Sequence, residues 1–539
     1  MMSGHTIQLG VDQENNSTSP SPQQPSEEER RDYFYGLPSS PLLVARSSTA
    51  AWSRHSSYDF PEEKKLAVAT GHAIQQPWNE PNSSLQISII EALGDLDWTA
   101  IDILRVRYKR HVEPNGVKRE NPVTMLISVP ENSTTFIRGY EAVCRCKSIL
   151  EDMGLGDVEV EMKEGKHFRS ISGPLSPSKE AQGQQPLPLR NDQLLPGPLA
   201  STMDYNYRFH FTEYIGTNIA AFDNRKKEGT KGLYLRDSQD ATTVYALTCR
   251  HVVYNKEQLL DNSQESLEIT QPGQNTFDNM QYSFQIQDKE LYKLIHALGR
   301  GDLPKASLEQ QELNRTKFTK LQGYKPLFED HPADQKFSAF GCVEFSPPFR
   351  VSEGRLMDWA LIKLCKDKHT TELSQLGNKL PVTGLFRSML EYKGVYDTIG
   401  IRLNSEVTIG PDVISLEDLE AEIQDESSRG LIGMMHGGKS GFSIGCINGI
   451  RSVVREPIDG LPFTSQEWCT IGLDGSAFSK CGDSGSVIFD IHGRVMLLLT
   501  GGVMRDDPRN TAGCDTTYGT PVVSVLEDIE SYGYKVDLS

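Results

Sequence analysis

The sequence predicts a multidomain chain, with a small α+β domain over residues 61–171 followed by a larger strand-rich domain over 201–539. Three observations predict it. The 539 residues exceed one ordinary domain. A stretch at 172–200 carries Pro174, Pro177, Pro186, Pro188, Pro196 and Pro198 with only scattered leucines, which reads as a linker. Helix-spaced and alternating segments mix before that stretch, and short apolar strands recur after it.

Residues 1–60 are rich in Ser, Pro, Gln and charge, a composition that builds no core and reads as disordered. The island Pro41-Leu42-Leu43-Val44-Ala45 interrupts it and reads as a passing turn, with a docking peptide as the alternative. Within 61–171, Leu85, Ile89, Ile90 and Leu93 share a helical face, and Gly94 closes that helix. Residues 98–108 alternate as a strand with one apolar face. A second strand spans 122–129. Ser133 or Thr134 caps a helix running to about Asp152, ended by Met153-Gly154-Leu155-Gly156. Val158, Val160 and Met162 alternate in a third strand. Asp97, Asp102 and Asp157 read as solvated acids near strand ends. Cys144 and Cys146 point to different faces of their helix, which is poor metal geometry. The domain shows no catalytic constellation, so a binding or assembly role with a protein partner is expected of it.

The formal net charge is −18. That argues against nonspecific nucleic-acid binding and against an anionic membrane surface. No window reaches the roughly 18 apolar residues of a membrane span. No apolar run follows Met1, so no export signal is expected. The nine cysteines are an odd, scattered set and read as thiols of a reducing compartment. A cytoplasmic or nuclear location follows, rather than secretion. Asn82 and Asn132 are then chance sequons. No metal and no cofactor are expected.

The second domain carries the chemistry. At 480–490 the chain reads Lys-Cys-Gly-Asp-Ser-Gly-Ser-Val-Ile-Phe-Asp, a glycine-bounded turn running into an apolar strand. Ser484 sits at the tip, where the N–H groups of Gly482 and Ser484 can converge on one developing negative oxygen. A serine hydroxyl needs a base, and the base needs an orienting carboxylate. An apolar strand at 243–253 ends near His251. Another at 356–364 carries Asp358 at its mouth. The chain order is His251, Asp358, Ser484.

This order and these contexts resemble the trypsin/chymotrypsin-like serine peptidases, in the intracellular or microbial-type branch that lacks the secreted disulfide set. The resemblance covers about residues 205–539 and implies an all-β double β-barrel of chymotrypsin-like type. It implies a serine endopeptidase acting on protein or peptide substrates. His251 matches the general base, Asp358 the orienting acid and Ser484 the nucleophile. Gly482 and Ser484 match the oxyanion-hole amides. Leu499-Thr500-Gly501-Gly502 looks like the strand that pairs with substrate backbone. Tyr518-Gly519-Thr520-Pro521 looks like the closing strand of the specificity pocket, before a C-terminal helix. Residues 437–445 resemble the hairpin that opens the second barrel. Phe478 stands near the pocket base where tryptic enzymes carry an acid, and Gly501 and Gly502 suggest an open wall. The expected preference is therefore an apolar or mid-sized side chain before the scissile bond.

The departures are specific. Cys481 directly precedes Gly482, and Ser486 follows Gly485 in place of glycine. No Ile-Val-Gly-Gly activation signal is present, so the resemblance implies no zymogen cleavage. Two insertions, near 285–325 and 378–430, exceed a compact barrel pair. The first holds an amphipathic segment, with Leu291, Ile295 and Leu298 on one side, and a charged helix. The second holds the acidic run 416–422. Surface loops carry such insertions cheaply. The competing reading from another class is a peptidase-fold protein that is catalytically silent and acts as a binding or scaffold module.

Overall fold

The computed structural model describes residues 24–52, 54, 61–109, 121–168, 193–195, 197, 199, 201–261, 266–300, 308–328, 339–382, 405–425, 430–458, 461–506 and 513–539. The chain is mixed α and β, with mostly antiparallel sheets.

In the first module the strands run in the order Leu43–Arg46, Glu159–Glu164, Val123–Val129, Ala100–Tyr108. The middle pair is parallel, joined through the helix Phe136–Asp152. Thr135 caps that helix by accepting the Arg138 N–H, and Gly154 at φ +75° follows its end. Ser83 caps the helix Ser84–Leu93, and Gly94 follows at φ +58°. Leu85, Ile89 and Leu93 are buried against Ile101, Ile103, Ile127 and Val143. Cys144 is exposed and Cys146 buried, on different faces as their spacing requires.

Order begins well before residue 61. Ser26 caps a short helix, Glu27–Asp32, and Leu43–Arg46 joins the sheet edge against Glu159–Glu164. Phe34, Leu37, Leu43 and Ala45 are buried. The island read as a passing turn is a strand because its apolar side chains complete this sheet. Residues 1–23 lie outside the described residues.

Nor does the first sheet stop at its own edge. Ala100 and Ile101 pair with Val454 and Val453 of the strand Ser452–Ile458. That strand forms a hairpin with Leu461–Gly472, so one sheet of thirteen strands runs through both halves of the chain. The face opposite the helices packs Ala100, Leu104 and Leu126 against Val454, Cys469, Ile471, Val503 and Tyr518. Asp102 therefore is not a solvated acid. It is fully buried on this second covered face, where Ser452 Oγ and Tyr518 Oη donate to it at 2.5 and 2.9 Å. Burial pushes its pKa up.

The second half holds a ring of six antiparallel strands. They are Leu431–Gly437, Gly441–Ile447, Leu461–Gly472, Thr516–Pro521, Val495–Met504 and Val487–Phe489. Pairing of Trp468–Thr470 with Thr517–Gly519 closes it. Beside it lies an eight-stranded half-barrel that includes Leu233–Asp237, Val244–Thr248, Ala360–Leu364 and Ala339–Phe345. The two share a core in which Leu233, Leu247 and Trp359 meet Val487, Phe489 and Leu498.

Both insertions have structure of their own. Helices Gln274–Arg300 and Leu308–Gln322 form a hairpin that buries Phe277, Phe284 and Leu321 with Tyr207 and Phe328. The acidic run forms the helix Leu416–Asp425, which buries Leu419 and Ile423 against the ring. Residues 383–404 and 426–429 lie outside the described residues, as does most of the proline-rich stretch. At its end Leu194 and Leu195 bridge to His369 and Thr212. Among the described residues no helix is long and apolar enough to cross a membrane. No disulfide joins any of the nine cysteines.

Candidate active site

The strand Val244–Thr248 pairs in register with Ala360–Leu364, Thr248 opposite Ala360. His251, just beyond one strand end, and Asp358, just before the other, are thereby brought side by side. A helical turn, Arg250–Val253, carries the histidine. The buried Arg250 guanidinium anchors this turn by donating to the carbonyls of Gln258, Leu259, Asp261 and Ser346. Asp358 accepts twice: from the His251 backbone N–H at 3.1 Å, and from Nδ1 at 2.5 Å. A carboxylate only accepts, so Nδ1 carries the proton and Nε2 the lone pair. Both residues are at most 2% exposed.

Ser484 approaches from the ring. Its turn needs glycine: Gly482 has φ +101° and Gly485 φ +95°. A Cβ on Gly485 would fall 2.3 Å from the Thr230 carbonyl oxygen and 2.4 Å from Thr248 Oγ1. The turn is stitched to the half-barrel at the strand that leads to His251. Thr230 N–H donates to the Ser484 carbonyl, and Thr248 Oγ1 to the Thr230 carbonyl, both at 2.8 Å. Cys249 Sγ donates to the Leu499 carbonyl at 3.3 Å, which also accepts the Gly485 N–H. These bonds put the serine turn against the residues immediately preceding the imidazole. Ser484 Oγ makes a long 3.4 Å bond to the Thr500 carbonyl. This bond runs to a backbone carbonyl and not to the His251 imidazole.

The N–H groups of Gly482 and Ser484 donate to no partner among the described residues, whereas the Asp483 N–H between them donates to Lys480. Asp483 holds this turn. Its carboxylate accepts the N–H groups of Lys439, Ser440 and Lys480 at 2.8, 3.1 and 2.7 Å and also the Ser440 hydroxyl. Burial raises its pKa, and these donors oppose the rise. The sequence gives no hint of this tie, because apart from the Lys480 N–H its donors, from Lys439 and Ser440, lie some forty residues upstream.

The remaining residues fall around the turn. Phe478 is 1% exposed, packed among Trp468, Ile488 and Leu497. Thr500, Gly501 and Gly502 lie in Val495–Met504, just past Leu499, whose carbonyl accepts the Gly485 N–H of the Ser484 turn. One edge of that strand pairs with Thr516–Pro521. On its other edge, Gly502, Val503 and Met504 pair with Phe168, His167 and Lys166 of the first module. Sequence reasoning did not foresee this pairing, since Lys166–Phe168 is a short polar strand with no periodicity to read. Cys249 Sγ and the ligand atoms of His251 and Asp358 lie within 4.8 Å of one another. Of these atoms, Cys249 Sγ donates to the Leu499 carbonyl and His251 Nδ1 to Asp358.

In comparisons with known proteins, no family model and no curated protein matches this chain.

Proposed function

We propose that this chain is a serine endopeptidase of the trypsin/chymotrypsin type, with the ring and the half-barrel as its two β-barrels. The observation that carries the reading is the buried His251–Asp358 pair beside a serine turn whose flanking amides have no partner among the described residues. Asp358 fixes the Nδ1–H tautomer. His251 Nε2 takes the Ser484 hydroxyl proton as Oγ attacks the scissile carbonyl carbon. The N–H groups of Gly482 and Ser484 stabilise the oxyanion. The imidazolium returns the proton to the leaving amine, and water hydrolyses the acyl-enzyme by the same path. The Asp483 tie supports a turn that is formed without cleavage. In secreted enzymes of this type a freed chain terminus does that work.

A silent binding module is the second reading, favoured by the burial of Ser484, which is 3% exposed, and by the occupied edge at 502–504. A small activated ester separates the two. A competent site gives a burst of one equivalent of phenol per chain as the acyl-enzyme forms, and Ser484→Ala gives none. Absence of a burst in the folded wild-type protein favours the silent module. A peptide library then tests the expected preference for an apolar or mid-sized residue before the cut.

A further inference from the structure

The strand Val495–Met504 changes partners along its length. Val487–Phe489 flanks it only as far as Leu498. Beyond that point the edge facing away from Thr516–Pro521 is the one on which a peptide would have to lie to reach Ser484. An extended peptide binds such an edge by adding a strand, with backbone groups giving affinity. Lys166–Phe168 already lies there, antiparallel, with Phe168 opposite Gly502 and Lys166 opposite Met504. The antiparallel sense points its C-terminal end toward Gly501, Thr500 and the nucleophile. The approach is close. A Cβ on Gly501 would stand 2.6 Å from His167 Nε2 and 2.7 Å from the Phe168 carbonyl oxygen.

The strand is held in place by buried groups rather than by its three pairings alone. His167 Nδ1 lies 3.0 Å from Glu456 Oε2, and its ring packs 5.7 Å from that of Tyr518. Just upstream, Lys163 and Asp515 form an ion pair at 3.1 Å with neither side chain exposed. Ser39 donates to the same carboxylate through its N–H and its hydroxyl at 2.8 and 2.7 Å. The Gly165 N–H donates to Val129, and its carbonyl accepts from Thr99 Oγ1. A buried pair broken on one side leaves an uncompensated charge. The first module is therefore fastened to the ring right beside the substrate edge.

We propose that Lys166–Phe168 is a resident, substrate-like strand that blocks this edge, so that the peptidase is held in an autoinhibited state by its own first module. The inference rests on the peptidase reading. A peptide substrate must displace the strand before its own backbone pairs with 500–502. A small reagent that needs only Ser484 and the two amides is not blocked.

The test compares the full-length wild type with His167→Pro, which removes a backbone donor from the strand and disfavours pairing. Two readouts are taken: labelling by diisopropyl fluorophosphate, and cleavage of casein. The expected result is equal labelling rates with casein cleavage about tenfold or more faster in the variant, as when the open form is a minor population. Equal casein cleavage with labelling intact overturns the inference and leaves the peptidase reading standing. No labelling of either folded protein overturns both. If His167→Pro does not fold, Phe168→Gly weakens the same strand without removing a donor, and the same rates decide. A wild-type chain found cut after Phe168, with the cut absent in Ser484→Ala, overturns the block in favour of a strand retained as the product of self-cleavage.

Discussion

Asp358 orients the imidazole through two bonds, one to the His251 backbone and one to the ring. Replacing it by asparagine keeps the shape but puts an amide where only an acceptor serves. Asp358→Asn is expected to lower kcat by about 10⁴ with KM little changed. A melting temperature like the wild type's, alongside that loss, identifies an orienting role. Elsewhere, burial pushes the pKa of His369 and of His436 down to about 4. An unfolded histidine titrates near 6.5, so between about 4 and 6.5 the unfolded chain binds more protons. Stability from these two is fully present above pH 6.5 and falls as pH drops toward 4, by up to about 1.4 kcal/mol per pH unit for each. Melting followed from pH 7.5 to 5 should show a shallower slope in His436→Gln, and an unchanged slope contradicts the assignment. The three residues proposed as a triad stand out in the sequence because each sits at the end of an apolar strand. The partners of Asp483 and Asp102 are not, because they come from distant segments brought together by sheet pairing.

At the scale of elements, the turn 480–485 and the strand end at Thr248 must fit closely. Gly485→Ala places a Cβ at φ +95° and against the Thr230 carbonyl. Backbone strain of this kind costs about 1–3 kcal/mol, and the clash adds to it. Denaturant titration should show that loss, and an unchanged midpoint would contradict the packing of the turn. The helices Ser84–Leu93 and Phe136–Asp152 and the apolar strands were readable from periodicity and from their closing glycines, though the second helix is capped by Thr135 rather than Ser133 or Thr134. Ring closure was not, because it rests on Leu461–Gly472 pairing with Thr516–Pro521, and no local pattern encodes that register. The acidic helix Leu416–Asp425 looked like a free surface insertion because its charges outnumber its buried anchors, Leu419 and Ile423, and two of those charges, Glu420 and Glu422, are paired with Arg451 and Arg494 of distant segments.

Across the whole molecule, the proline-rich stretch marks a change of composition but not a boundary of packing. Ala100, Leu104 and Leu126 share one buried cluster with Val503 and Tyr518. The first module and the ring are expected to melt together, in one calorimetric transition at neutral pH. Two well-separated transitions would contradict the continuous sheet. Removing residues 1–192 should expose that cluster and lower solubility along with the melting temperature. Joining of the halves was not legible in composition, because it needs two ladders between residues hundreds apart. The central claim is that Ser484 is a nucleophile activated by His251. Intact-mass analysis after fluorophosphonate treatment, with peptide mapping, tests it most directly. The expected result is one adduct per chain, on Ser484, absent in Ser484→Ala and strongly slowed in His251→Ala. A folded wild-type chain that takes up no adduct, or an adduct that persists in Ser484→Ala, contradicts it.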